Sequence, residues 1–321
     1  MPDMENFIKG AFFGAAVGDA LGAPVEMMKP EEIREKYGVL KDMAGGGWLE
    51  LKPGEPTDDT SMLLDVARGI LANHAYPIEE IGHNFLRWYQ SKPKDVGNTT
   101  RTSFENYMRT GSWREASRAT ARTLNKMDSN GSLMRTLPVT FGYWNSLMNM
   151  AKWSAEIANM THYSVEGTTS CIYYNFLIYN LRNVKQTKRA VVSGTLTLTD
   201  NHCKVMGINP VKFFWHMIKA LQEDAAPIPP RGNVLDTLAS SVQCFLSTDS
   251  FEEALISIVN KGEDADTAGN IVGGLAGSYY GYGSIPRRWL DALTNRDDIM
   301  KVAEDFIELW NQKGFRLEEA R

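Results

Sequence analysis

KGEDADTAGNIVGGLAGSYYG, Lys261–Gly281, joins an acidic mouth to a run of glycine, alanine and aliphatic residues. Three acids, Glu263, Asp264 and Asp266, fall within four positions. The run from Thr267 to Tyr280 predicts a helix whose small side chains let another helix come close. Carboxylates at the entrance of such a buried helix are costly unless something offsets their charge. A second helix rich in small residues is predicted at Asn6–Leu21, with Gly10, Gly14, Ala15 and Gly18 on a face open to close approach.

Helical periodicity continues outward from these two segments. DTSMLLDVARGILAN (59–73) places Met62, Leu63, Val66, Ile70 and Leu71 at amphipathic spacing. Further helices are predicted at 78–90, 99–108, 146–160, 165–181, 188–198, 210–222, 234–246, 251–260 and 296–312. Few segments alternate with period two, and none of them form a series able to build a sheet. The chain therefore reads as all-α, with about a dozen helices.

With 321 residues, the chain can form one large core or two ordinary domains. The proline-rich DAAPIPPRGN (224–233) reads as a long inter-helix loop inside one domain spanning residues 1–321. The segment beyond this loop is short and apolar enough to need the earlier helices as partners. The basic RNVKQTKR (182–189) reads as a solvated helix end.

The net charge of −5 disfavours non-specific binding to nucleic acid or to an anionic membrane. Cys171, Cys203 and Cys244 are far apart, as suits free thiols in a reducing compartment. The apolar residues 11–18 follow Asp3 and Glu5 and stop at Asp19, so they read as a first helix rather than a signal peptide. No run approaches the roughly 18 apolar residues of a membrane span, and the expected compartment is the cytoplasm.

PTDDTSM (56–62) supplies a second acidic cluster, again directly before an amphipathic helix. Capping explains about one or two acids per helix start, because hydroxyls and carboxylates accept from orphan amides and the dipole favours negative charge. It does not explain D-A-D-T and T-D-D-T both heading helices that must enter the core. Four converging aspartates would repel one another unless a cation offsets them. Carboxylates and threonine hydroxyls are hard oxygen ligands suited to magnesium, manganese or calcium. The five histidines show no zinc-ligand spacing, and signatures of P-loop, serine-hydrolase and zinc-protease sites are absent.

Taken in order, GAFFGAAVGDALGAPVE (10–26), PTDDTSM, DVGNTTR (95–101), SNGSLMRTLPV (129–139), THYSVEG (161–167), residues 232–281 and IPRRW (285–289) resemble the ADP-ribosylglycohydrolase family. The bacterial branch that removes ADP-ribose from an arginine of dinitrogen reductase is the nearer likeness. The resemblance implies an all-α, orthogonal multi-helix domain holding two divalent cations, magnesium or manganese. It implies cleavage of ADP-ribose from a protein side chain, with free ADP-ribose as product. Its metal ligands would be Thr57, Asp58, Asp59, Asp264, Asp266 and Thr267. Glu26 would position water or substrate, and Asp95 would contact the substrate ribose. Asn98, Gly131, Ser132, Met134 and His162 would line the ligand cleft. Glu263 stands where many members carry glycine or another small or acidic residue, and it adds charge beside Asp264 and Asp266.

Overall fold

The computed structural model describes residues 3–125 and 128–312. Among them lie sixteen α-helices and no strand, joined by short 3-10 turns. The first eight are α1 (Met4–Gly22), α2 (Pro30–Tyr37), α3 (Asp58–Ala72), α4 (Ile78–Gln90), α5 (Asn98–Thr110), α6 (Trp113–Leu124), α7 (Pro138–Gly142) and α8 (Leu147–Ala158). The others are α9 (Val165–Asn183), α10 (Lys188–Val205), α11 (Val211–Ala220), α12 (Val234–Ser247), α13 (Phe251–Val259), α14 (Ala265–Tyr280), α15 (Arg287–Ala292) and α16 (Arg296–Gln312).

Four of these escape the periodicity reading. Helix α2 buries only Ile33, α7 has five residues and α15 has six, so none shows a full apolar stripe. Helix α6 buries Trp113, Ala116, Ser117 and Thr120, a stripe too polar to register as a core face. Helix α10 also runs past the predicted end at Leu198, through the polar TDNHCKV to Val205.

Two small-residue helices form the spine. α1 and α14 pack antiparallel with their backbones in contact. A Cβ on Gly10, Gly14 or Gly18 would stand 2.2, 2.2 and 1.9 Å from the carbonyl oxygens of Gly277, Gly273 and Gly269. Gly22 meets Ala265 in the same way, at 2.2 Å. No residue larger than glycine fits at these crossings, and the close approach yields many weak dispersion contacts. The register has one decisive consequence: the last turn of α1 lies beside the first turn of α14. Aromatic rings then close the core, with Phe12 stacked on Phe306 of α16 at 5.4 Å between centroids.

Helix α3 is fastened to the same spine. Buried Asp19 of α1 accepts from the Thr57 amide (3.0 and 3.1 Å), the Thr60 amide (3.0 Å) and the Thr60 hydroxyl (2.5 Å). Three helix ends thus meet at one place.

The proline-rich segment is stitched to α12. Gln243 donates to the carbonyls of Ala220 and Ala226 and accepts from the Ile228 amide. The basic cluster departs from its solvated reading at Lys188. Its ammonium lies 4.7, 5.3 and 5.1 Å from the ring centroids of Phe245, Tyr279 and Tyr280 and donates to the Thr248 carbonyl and the Tyr280 hydroxyl. Aromatic faces and three oxygens, the third being the Phe245 carbonyl, replace the water an isolated helix end would bind. No described helix is long and apolar enough to cross a membrane.

Candidate active site

A cleft of about 230 Å³ opens where α1, α3 and α14 converge. Glu26, Asp58, Asp59, Asp95, Asn98, Gly131, Met134, His162, Asp264, Asp266 and Thr267 line it. The structure brings these eleven sequence-predicted residues together from across the chain. Thr57 and Ser132 lie behind the lining. Thr57 caps α3 by accepting from the Asp59 amide, and its hydroxyl points to Asp59 Oδ2 at 3.4 Å. Ser132 is buried beside Gly167 and the Cys171 thiol, facing α9.

Capping leaves most of the acids unexplained. The first amides of α3 are met by Thr57 and by Asp19 of another helix, so Asp58 and Asp59 are not needed there. Asp264 occupies the N-cap of α14 but makes no side-chain cap bond. Its Oδ2 accepts instead from Asn130 Nδ2 at 2.8 Å. Asp59 Oδ1 and Asp266 Oδ1 are buried with no hydrogen-bond partner among the described residues. One carboxylate oxygen from each of Glu26, Asp264 and Asp266 lies within 4.8 Å of the others. Orphaned oxygens in a like-charged cluster cost free energy, and a hard divalent cation is the ligand that would offset it. The donor set therefore fits one.

Backbone geometry holds Glu26 in place. Met27 donates its amide to the Glu263 carbonyl at 2.6 Å, and Glu263 returns its own to Met28 at 2.8 Å. Both Met27 and Glu263 are left-handed, with φ of 65° and 57°. Such strain persists only where neighbours over-determine it. It also gives the physical reason why glycine suits position 263. From outside, half-exposed Trp48 donates its indole N–H to Glu26 Oε2 at 2.6 Å.

The electrostatics arise from crowding. Burial, then the charges of Asp264, Asp95 and Asp19, pushes Glu26 up to about 7 against the opposing Trp48 hydrogen bond. Burial raises Asp19 to about 6 despite its four hydrogen bonds. Asp58, Asp59 and Asp266 are driven well upward by burial and then by the neighbouring acids. Asp95 also rises through burial, opposed by the Val96 amide and by contact with the Asp58 carboxyl.

These shifts set a pH dependence for the metal-free protein. A carboxyl with a raised folded pKa binds its proton more tightly in the native state than in the unfolded chain. Stability is then lost as pH rises from the unfolded value near 4 through the folded values near 6 and 7. A metal-free sample should therefore melt lower at about pH 7.5 than at about pH 5. Added magnesium or manganese should raise the midpoint at the higher pH and do little at the lower one. A midpoint independent of pH and metal in a calorimetric scan would remove the cation from this site.

The opposite wall is fixed by a hydrogen-bond relay. Arg135 is fully buried and can only donate; its Nη2 reaches Thr161 Oγ1 at 2.6 Å. The Thr161 hydroxyl is then free to donate to His162 Nδ1 at 2.7 Å. His162 must carry its proton on Nε2, which donates to Ser129 Oγ at 3.0 Å, and Ser129 donates to Thr99 Oγ1 at 3.2 Å. Burial and the Arg135 charge hold His162 well below the ordinary histidine range. Ring ¹⁵N shifts should show a neutral, Nε2-protonated His162 from about pH 6 to 8; a protonated ring or the Nδ1 tautomer would break this relay.

The motif reading did not single out Asp19, Trp48, Asn130, Ser129, Thr99 or Thr100. The signal for Asp19 was present, since an aspartate in an otherwise apolar small-residue helix needs a buried partner. Trp48 gave none, because its target lies 22 residues away across a glycine-rich loop.

A family model described as ADP-ribosylglycohydrolase matches residues 1–315. The chain belongs to the ADP-ribosylglycohydrolase family. Over 292 residues it is 34% identical to the ADP-ribosyl-[dinitrogen reductase] glycohydrolase of Rhodospirillum rubrum, covering 91% of this chain and 92% of that one. It is 30% identical to the ADP-ribosylarginine hydrolase Tri1 of Serratia proteamaculans, covering 98% of this chain and 83% of that one. Among solved structures it is similar to a chain of an ADP-ribosylglycohydrolase-related protein complex, with a TM-score of 0.78, 30% identity and coverage of 95% and 98%. This ADP-ribosylglycohydrolase is thus a glycosidic-bond hydrolase of ADP-ribosyl linkages, and the acidic cleft is its candidate active site.

Proposed function

We propose that this ADP-ribosylglycohydrolase hydrolyses the N-glycosidic bond between ADP-ribose and a protein arginine, releasing free ADP-ribose. The observation that carries the reading is the convergence of Glu26, Asp264 and Asp266 within 4.8 Å, beside buried Asp59 and Asp266 oxygens that lack partners. The Serratia proteamaculans relative, whose name specifies ADP-ribosylarginine, favours arginine over other linkages.

Thr57, Asp58, Asp59, Asp264, Asp266 and Thr267 would hold two divalent cations, magnesium or manganese, Thr57 from behind Asp59. When bound, these supply Lewis-acid polarisation of ribose oxygens and a water made acidic at neutral pH. The chain's own groups do the rest. Glu26, with one oxygen fixed by Trp48, takes the proton of the attacking water. The water oxygen bonds to the anomeric carbon as the carbon–nitrogen bond breaks with its electron pair left on nitrogen, and the guanidine takes the proton held by Glu26 and leaves as protonated arginine. Positive charge develops on the sugar ring in that step, and the surrounding carboxylates stabilise it. Asp95 holds the ribose hydroxyls. The first-turn amides of α5 at Asn98 and the backbone at Gly131, where a side chain would strike His162, receive the diphosphate. Met134 and His162 close the wall behind it.

A substrate panel tests this directly. ADP-ribosyl-arginine, ADP-ribosyl-serine and an ADP-ribosylated nucleobase are each incubated with manganese and with chelator. Free ADP-ribose from the arginine conjugate alone, abolished by chelator, is the expected result. Preference for another conjugate would reassign the linkage. Turnover that survives chelation would remove the metals, and release of AMP would indicate chemistry at the pyrophosphate.

A further inference from the structure

A second cavity, of about 320 Å³, shares no lining residue with the acidic cleft. It opens between the ends of α11 and α12, the loop after α11 and the turn after α13, with Arg189, Lys261, Gln243, Cys244 and Ser257 among its walls. Its volume falls at the lower end of small-ligand pockets, roughly 300–1,000 Å³.

Its charge is not balanced by the protein. Lys261 is half-buried and donates to Ser240 Oγ at 3.2 Å, and Arg189 donates to the Leu221 carbonyl at 3.0 Å. Neither has an ion-pair partner among the described residues. Cys244 does not supply the counter-charge, because burial pushes its thiol upward and keeps it neutral, with Sγ directed to the Ala254 carbonyl. Arg189 spends one donor on Leu221, the C-cap of α11, but Lys261 is not needed to cap a helix end. The Ala220 carbonyl is taken by Gln243, Phe245 by Lys188, and Cys244 by the hydroxyls of Ser247 and Thr248. Glu223, on the loop, is the one carboxylate in the lining. An ammonium partly withdrawn from water without a carboxylate is expensive to keep, and an incoming anion would offset that cost.

We propose that this cavity is a second binding site, for a small carboxylate or phosphate held by Lys261 and Arg189. Both of its walls end at Asp264. Lys261 lies three residues upstream, through the left-handed Gly262 and Glu263. The loop pinned by Gln243 continues to Pro230, whose carbonyl accepts from the Asp264 amide at 3.0 Å. An occupant would therefore tune the acidic cleft, and by linkage the cleft would tune the cavity.

The full chain, stripped of metal on a chelating resin so that the acidic cleft repels anions, is titrated with potassium phosphate or potassium succinate at constant ionic strength. The melting midpoint should rise to a plateau with one or both anions, and which one does so names the class. The half-saturating concentration should increase at least about tenfold in Arg189→Ala and Lys261→Ala, and should be unchanged in Lys301→Ala on α16. Arg189 is exposed in a first helical turn, so its variant folds even if the lysine variant does not. No plateau with either anion, or the same plateau in Arg189→Ala, overturns the proposal. So does a rise that never saturates in any variant, which is the general effect of excluded salts. The readout needs no turnover, so it fails or succeeds independently of the substrate assignment.

Discussion

Asp266→Asn is expected to abolish turnover while leaving the metal-free protein at least as stable as the wild type. The same holds for Asp59→Asn. Each carboxylate is buried, carries one oxygen without a partner, and is pushed well upward by burial and by its acidic neighbours. Asparagine keeps the shape and removes the charge. Losing a ligand removes several kcal/mol of transition-state stabilisation, so turnover should fall at least about a thousandfold. In the fold alone the change relieves repulsion. At about pH 8 without metal the midpoint should stay level or rise by about 2–4 °C. Opposed signs for activity and stability identify a functional carboxylate, because a structural one would lose both. Turnover within about tenfold of wild type at saturating manganese would take either residue out of the reaction.

Gly18→Ala should be among the most damaging single-methyl changes in the chain. The new Cβ would fall 1.9 Å from the Gly269 carbonyl oxygen and 2.3 Å from its carbon, both backbone atoms of a packed helix. Neither helix can shift alone, since Gly10, Gly14 and Gly22 hold the same register above and below. Overpacking of this kind costs about 3 kcal/mol, which corresponds to about 4–5 °C in a protein of this size. Turnover should fall with it, because moving α1 off α14 separates Glu26 from Asp264 and Asp266. Gly194→Ala is the control. Gly194 lies within α10 with nothing within 4 Å of its would-be Cβ, so the same substitution should be neutral or stabilise by up to about 1 kcal/mol. If the two variants melt within a degree or so of each other, the glycine spine does not set the register.

Legibility of the site varied residue by residue. Asp58, Asp59, Asp264 and Asp266 stood out because too many acids head apolar helices. Thr57 and Ser132 fall in the right motifs yet lie behind the lining, since a motif specifies spacing and not which way a rotamer turns. Asn130 lies directly before Gly131, a predicted cleft residue, in a quoted motif. Its amide matters only through Asp264 and Thr237, contacts that span 134 and 107 positions. Lys188 read as solvated because its three aromatic neighbours come from α12 and α14.

By itself the sequence determined the helical class, the two small-residue helices, the excess of buried acid and the family likeness, because period, residue size and local charge are properties of short stretches. The antiparallel register of α1 on α14 was decided only in three dimensions. So were the pinning of α3 by Asp19, the clasp of Trp48 on Glu26 and the tautomer of His162. Each depends on hydrogen bonds or steric exclusion between groups far apart along the chain, and such contacts exist only once packing has chosen which backbone faces which.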